Sequence, residues 1–287
     1  MAMFPQLPSG IPLWQNYKNL VFHDDFGELT IHAEMFLEEQ IQALEKLPFR
    51  YKYDHLQQWN KQWELPFVLQ QAQQHIQDWD FENGFPQALD FGSDLSFFPW
   101  YFQGMTASKL TCLVDQYLVD QLPLPQAFSL VTLAKDWITC QPTDLFLPQL
   151  SAETYDLASC IGCHRFIGQL PQIIAAIYAS LKPGGKFMFT FDIALIGKNG
   201  LDASTATDVL RLIDACFGSD LENEYSFEKI NKQKNIVSTR YVAEMKPLIM
   251  PWSMSSMAYL LGDFTQSSKW AGWPANSTVF CGAVMKG

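Results

Sequence analysis

Apolar positions along the chain change their period near residue 84. Before that point they recur at helical spacing. Residues 31–47 bring Phe36, Leu37, Ile41, Leu44 and Leu47 near one face, and Phe67, Leu69, Ala72 and Ile76 are distributed from Pro66 to Trp79. Both stretches read as amphipathic helices, with Pro66 suited to a first turn. The glutamines of QQAQQHIQ read as a solvated helix face. Beyond Gly84, short apolar runs alternate with helical ones, and the expected strands are 87–91, 109–114, 128–132, 155–161, 185–191, 236–244 and 278–285. Between the fourth and fifth, Leu170, Ile173, Ile174, Ile177 and Leu181 predict a helix over 169–181, closed by Lys182-Pro183-Gly184-Gly185. Strands 87–91 and 187–191 are nearly continuous apolar runs, as expected where helices cover both faces. The alternation predicts an α/β fold. It is a doubly wound, mostly parallel seven-stranded sheet with an N-terminal helical extension, divided into a cap at 1–83 and a core at 84–287.

Composition narrows the partners. The 287 residues are 48% hydrophobic and 17% charged, enough to build a sizeable core. A net charge of −11 argues against nucleic acid or an anionic membrane surface, which need a basic face. No apolar run reaches the roughly 18 residues of a membrane span. The opening segment MAMFPQLPSGIPLWQNYK has neither the basic head nor the apolar centre of a signal peptide, so a cytoplasmic location is expected. The six cysteines then read as free thiols. Cys160-Ile161-Gly162-Cys163-His164 fits a haem-attachment pattern, but that chemistry belongs to exported chains. A redox pair should open a helix, whereas this one ends a predicted buried strand. The other four cysteines show no metal-ligand spacing, and no metal is expected.

Polar residues fall where such a sheet binds ligands, beyond the carboxyl ends of its strands. Asp90 and Gly92 close the first strand, Asp115 closes the second (KLTCLVD), and Asp136 follows the third (FSLVTLAKDW). A carboxylate ending the second strand suits the two hydroxyls of a ribose. Taken singly, Asp115 is equally a turn residue and Asp136 a helix cap.

The ordered set LDFGSD, CLVD, AKDW, YDLASCIGCHRF and IYASLKPGGKFMFTFD resembles the class I S-adenosylmethionine-dependent methyltransferases, which have a Rossmann-like fold. The resemblance covers roughly residues 85–195 well and the C-terminal strands loosely. Upstream, NKQWELPFVL is similar to an aromatic-Glu-x-Pro helix start that some members place before the core. The resemblance implies S-adenosyl-L-methionine as cofactor, with Asp90 and Gly92 against its methionine portion, Asp115 on the ribose, and Asp136 with Trp137 at the adenine. Asp94 stands where the family has a second glycine, so its side chain must face solvent, cap a helix or accept the cofactor ammonium.

The expected function is methyl transfer to a small-molecule or peptide acceptor, apolar or aromatic, at oxygen. A neutral oxygen acceptor needs a base within hydrogen-bond reach, whereas an ionised carboxylate needs none. The sequence shows no obvious His–Glu or His–Asp pair near the site, which favours a carboxylate or a neutral amine as nucleophile. His164 and Arg165 are the catalytic candidates. Arg165 suits paired hydrogen bonds to a carboxylate, with a surface ion pair as the other reading; His164 either meets substrate or holds a loop. Tyr17 and Trp63, among the aromatics Trp14, Tyr51, Tyr53 and Trp59, are candidates for walling off the acceptor. Trp252, Trp270 and Trp273 lie where relatives insert substrate-binding elements. A non-catalytic binding protein on the same fold is the alternative, motivated by Asp94.

Overall fold

The computed structural model describes residues 4–39, 56, 59–92, 97–115, 136–143, 149–196, 200–228, 230, 233, 235–244 and 276–287. Expected strand 128–132, the aromatics Tyr51, Tyr53, Trp252, Trp270 and Trp273, and Asp94 lie outside them.

Helices α1 (Trp14–Val21), α2 (Asp24–Glu39) and α3 (Lys61–His75) precede the sheet. Helix α3 begins five residues before Pro66, capped by the Asn60 side chain, so Pro66 is an interior residue rather than a first-turn one. Then come β1 (Gln87–Phe91), α4 (Phe98–Thr106), β2 (Lys109–Asp115), β3 (Ile138–Thr143), β4 (Tyr155–Cys160), α5 (Leu170–Ser180) and β5 (Leu181–Ile196). The chain continues through α6 (Ala203–Phe217), the short α7 (Leu221–Glu224) and α8 (Thr239–Glu244) to β6 (Asn276–Met285).

Six strands are seen among the described residues, in the order β3-β2-β1-β4-β5-β6. The first five are parallel, and β6 runs antiparallel to β5. The expected strand 236–244 is instead a single bridge from Ile236 to Leu13 followed by α8. Gly10 bridges Cys281 on β6, with hydrogen bonds of 2.7 and 3.1 Å between the two backbones.

Alternate strand residues feed two cores. Ala88, Leu110, Cys112, Met188, Val279 and Cys281 pack under α1 to α4, with Trp63, Phe67, Phe98 and Phe102. On the other face, Leu89, Phe91, Phe187, Phe189, Phe191 and Phe280 pack under α5 and α6. The phenylalanines stack at centroid separations of 5.0 to 6.3 Å, a geometry that adds to their area burial. Helix α4, between β1 and β2, lies on the first face, and α5, between β4 and β5, lies on the second. The direction of winding therefore reverses between β1 and β4. The carboxyl ends of those two strands form the switch-point crevice.

Candidate functional site

The crevice opens where β1 ends. Gly92 takes φ +71°, and a Cβ there would come within 2.6 Å of the Phe166 ring, so both backbone and space demand glycine. Asp90, 8% exposed, accepts a 2.8 Å hydrogen bond from the Ser159 hydroxyl, its register partner across the seam. After β4 the chain turns through Gly162, at φ +72°, into a 3-10 helix over Cys163–Gln169.

Arg165 fastens this turn to the first one. Its Nε donates to Gly162 O at 3.2 Å, and Nη2 donates to Gly92 O at 3.2 Å and Ile161 O at 2.9 Å. The edge of the guanidinium expected to grip an acceptor carboxylate is thus occupied by backbone carbonyls. These bonds tie the turns after β1 and β4 together, whereas the sequence reading had its donors free for an acceptor carboxylate.

A second layer comes from α3 and β5. Strand β5 continues beyond its last pairing with β4, Cys160 to Phe189, and carries Thr190 and Asp192 into the crevice edge. Thr190 Oγ1 accepts the Gly162 N–H at 2.8 Å and donates to Glu64 Oε1 at 2.5 Å. Glu64 is fully buried, and its Oε2 lies 2.7 Å from Lys61 Nζ, a close ion pair not aligned as a hydrogen bond. The Asp192 N–H donates to His164 Nδ1 at 3.1 Å, and Asp192 Oδ2 stands 3.8 Å from His164 Nε2. Asn60 Nδ2 donates to Asp192 Oδ1 at 3.4 Å.

Electrostatics follow from this packing. Burial lowers the His164 pKa to about 4; Lys61 and Arg165 act in the same sense and Glu64 opposes them. Burial raises Asp192 to about 7, reinforced by Glu64 and opposed by Lys61, Asn60 and Arg165. Burial also pushes the Cys163 thiol up, which disfavours the reactive thiolate. Among the described residues, no group of three or more His, Cys, Asp or Glu side chains is arranged to hold a metal ion.

The expected residues divide into two sets. Asp90, Gly92, His164 and Arg165 meet at the crevice, and the backbone of Asp115 ends β2 at the same edge of the sheet, opposite Thr143. Asp136 and Trp137 do not. Strand β3 begins at Ile138, level with Leu110 at the start of β2, and Trp137 O accepts the Leu110 N–H at 2.8 Å. Trp137 packs edge-on against Phe85, with centroids 4.6 Å apart. Both residues therefore lie at the amino ends of the strands, about 20 Å from the carboxyl ends at ~3.3 Å per residue. An adenine role for Asp136 and Trp137 is ruled out by that placement. The substrate-wall role of Tyr17 and Trp63 is corrected too. Both side chains are fully buried in the core beneath α1 to α4, and the Tyr17 hydroxyl donates to Gln62.

Sequence reasoning missed Glu64 and Asp192 as site residues. The signal for Asp192 was available: an apolar run, KFMFTF, ended by an acid, the same rule that marked Asp115. Glu64 sits in the WELP segment whose likeness was noted, but nothing in its spacing announced burial beside β5.

No family model matches the sequence, and no curated protein matches it. Solved structures of similar architecture include a putative sarcosine dimethylglycine methyltransferase from Galdieria sulphuraria, at 12% identity over 87% of this chain and 98% of that one, TM-score 0.42. A phosphoethanolamine N-methyltransferase 2 from Haemonchus contortus, solved with S-adenosyl-L-methionine, is similar at 14% identity over 70% of this chain, TM-score 0.42. An S-adenosylmethionine-dependent methyltransferase from Mesorhizobium loti is similar at 21% identity over 42% of this chain, TM-score 0.33. The chain spans about half the length of the last two proteins, 49% and 54%. Among the described residues, no helix is long and apolar enough to cross a membrane.

Proposed function

We propose that this chain is a cytoplasmic S-adenosyl-L-methionine-dependent methyltransferase acting on a small-molecule or peptide acceptor, at oxygen, with neither nucleic acid nor membrane as partner. One observation carries the reading: the glycine turn with its fixed Asp90 stands at the switch point, on the same sheet edge as the carboxyl end of β2. The residues fit a nucleoside cofactor. Gly92, at positive φ, turns the chain sharply where β1 ends, and an acid at the end of β2 matches a ribose diol. The cofactor would supply an electrophilic methyl group on a sulfonium. The protein's part is to hold the acceptor lone pair about 3 Å from that carbon and to exclude water. Arg165 contributes by locking the turns after β1 and β4 together, which fixes the floor of the crevice.

Calorimetry with S-adenosylhomocysteine tests this. Saturable one-to-one binding is expected, and Asp115→Ala should weaken it about ten- to hundredfold, the loss of one charge-assisted hydrogen bond. Absence of binding defeats the reading.

The Phe166 ring favours a second reading, a non-catalytic binding protein, because it fills the space directly over Gly92. In that case wild type gives no heat with S-adenosylhomocysteine and Phe166→Ala restores binding.

A further inference from the structure

We propose that Asp192 accepts the proton of the methyl acceptor while His164 Nε2–H holds the same acceptor oxygen, so that the acceptor presents a hydroxyl rather than a carboxylate. This deepens the methyl-transfer reading and rests on it. The sequence offered no obvious His–Asp pair because the two residues are 28 positions apart; the fold creates the pair by running β5 past the end of β4.

The geometry of the pair is specific. His164 Nδ1 accepts the backbone N–H of Asp192, so in the neutral ring the proton resides on Nε2. That Nε2 and Asp192 Oδ2 are 3.8 Å apart, too far to bond each other. A hydroxyl oxygen about 2.8 Å from both atoms fits between them and keeps a second lone pair for the methyl carbon. It donates its hydrogen to Oδ2 and accepts the Nε2–H. Asn60, on the far oxygen of Asp192, keeps the carboxylate turned this way.

Charges around the slot select the same chemistry. Facing Asp192 are Asn60, Lys61 and Glu64 from α3, His164 and Arg165 from the turn after β4, and the Cys281 thiol from β6. Lys61 is already paired with Glu64. A carboxylate entering the slot would meet the ionised Asp192 with Glu64 behind it, whereas a hydroxyl meets a base and a donor. With its proton affinity near neutrality, Asp192 is matched to the task, and the neutral His164 acts as donor.

The step balances. The acceptor X–H proton passes to Asp192 Oδ2 as the lone pair on X forms a bond to the sulfonium methyl carbon. The carbon–sulfur bond breaks, its electron pair stays on sulfur, and a neutral thioether leaves. The proton on Asp192 is then returned to solvent.

The test uses the intact chain loaded with S-adenosylhomocysteine and two ring probes, phenol and benzoate, titrated by calorimetry at about pH 8 and about pH 5.5, on either side of the Asp192 pKa. At the higher pH phenol should bind at least about tenfold tighter than benzoate, a difference of ~1.4 kcal/mol. Asp192→Asn should bring benzoate to within about threefold of phenol. The lower pH should do the same in wild type, where protonating Asp192 leaves His164 neutral. The wild-type comparison stands even if the variant does not fold. Benzoate matching phenol at the higher pH, neither probe binding, or an unchanged preference in Asp192→Asn overturns the inference. Failure of S-adenosylhomocysteine itself to bind defeats the methyl-transfer reading and this inference with it.

Discussion

Two aspartates at opposite ends of the sheet show how differently one fold treats the same side chain. At the amino end of β4, Asp156 is 9% exposed and fully engaged. Its Oδ2 accepts the Gln87 N–H at 2.8 Å, and Lys182 Nζ lies 2.9 Å from both oxygens. At the carboxyl end of β5, Asp192 is more open, at 23%, yet its nearest polar partners stand at 3.4 and 3.8 Å. Exposure alone would rank Asp192 as the easier residue to satisfy. The environment of Asp156 closes on the aspartate, whereas the partners of Asp192 stand back from it.

The largest effect that sharpens this contrast is expected at Glu64. Glu64→Ala removes the carboxylate paired with Lys61 and the acceptor of Thr190, and should cost about 3–5 kcal/mol in denaturant unfolding. A loss below about 1 kcal/mol would mean that the ion pair is solvated and places no charge layer behind Asp192.

Next come the aspartates themselves, with opposite signs. Asp156→Asn should destabilise by about 1–3 kcal/mol, since an amide cannot reproduce both the backbone bond and the ion pair. Asp192→Asn should stabilise by about 1–3 kcal/mol at about pH 8. The sign follows from the raised pKa: the folded state binds this proton more tightly than the unfolded chain does. That contribution is complete below about pH 4 and is lost as pH rises through about 7, so an uncharged Asn gains its advantage over that interval. Unfolding midpoints for both variants across the interval would break the comparison if the two shifted in the same direction.

The smallest effect belongs to Lys182. Its side chain is 39% exposed, so screening leaves Lys182→Ala with a loss of no more than about 1 kcal/mol. A larger loss would show that the amino end depends on its charge pair rather than on the Gln87 hydrogen bond.

The sheet was readable because its strands are covered on both faces and so appear as continuous apolar runs. β1 came out as expected for that reason, β4 within a residue, and the Leu170–Ser180 helix within a residue from the spacing of its apolar positions. β3 was not readable. Its sequence, ITCQPT, is half polar, and no described partner lies beyond it in the sheet. With 128–132 read as the third strand, Asp136 and Trp137 were placed at a carboxyl end, whereas β3 begins just after them. Tyr17 and Trp63 misled for a different reason. An aromatic composition cannot distinguish a wall from a core, and only the burial of α3 against the sheet decides it. His164 and Asp192 were each visible, but their meeting depends on β5 overrunning β4, a length that no local pattern encodes.

The bridge between Gly10 and Cys281 has a bearing on how the chain is made. During synthesis the segment around Gly10 is made well before β6 and cannot find this place until β6, more than two hundred residues later, has left the ribosome. So long-range a contact is slow to close. Until it closes, the β6 backbone at Cys281 lacks its Gly10 partner, and that stretch of strand should be most open to pairing with another chain.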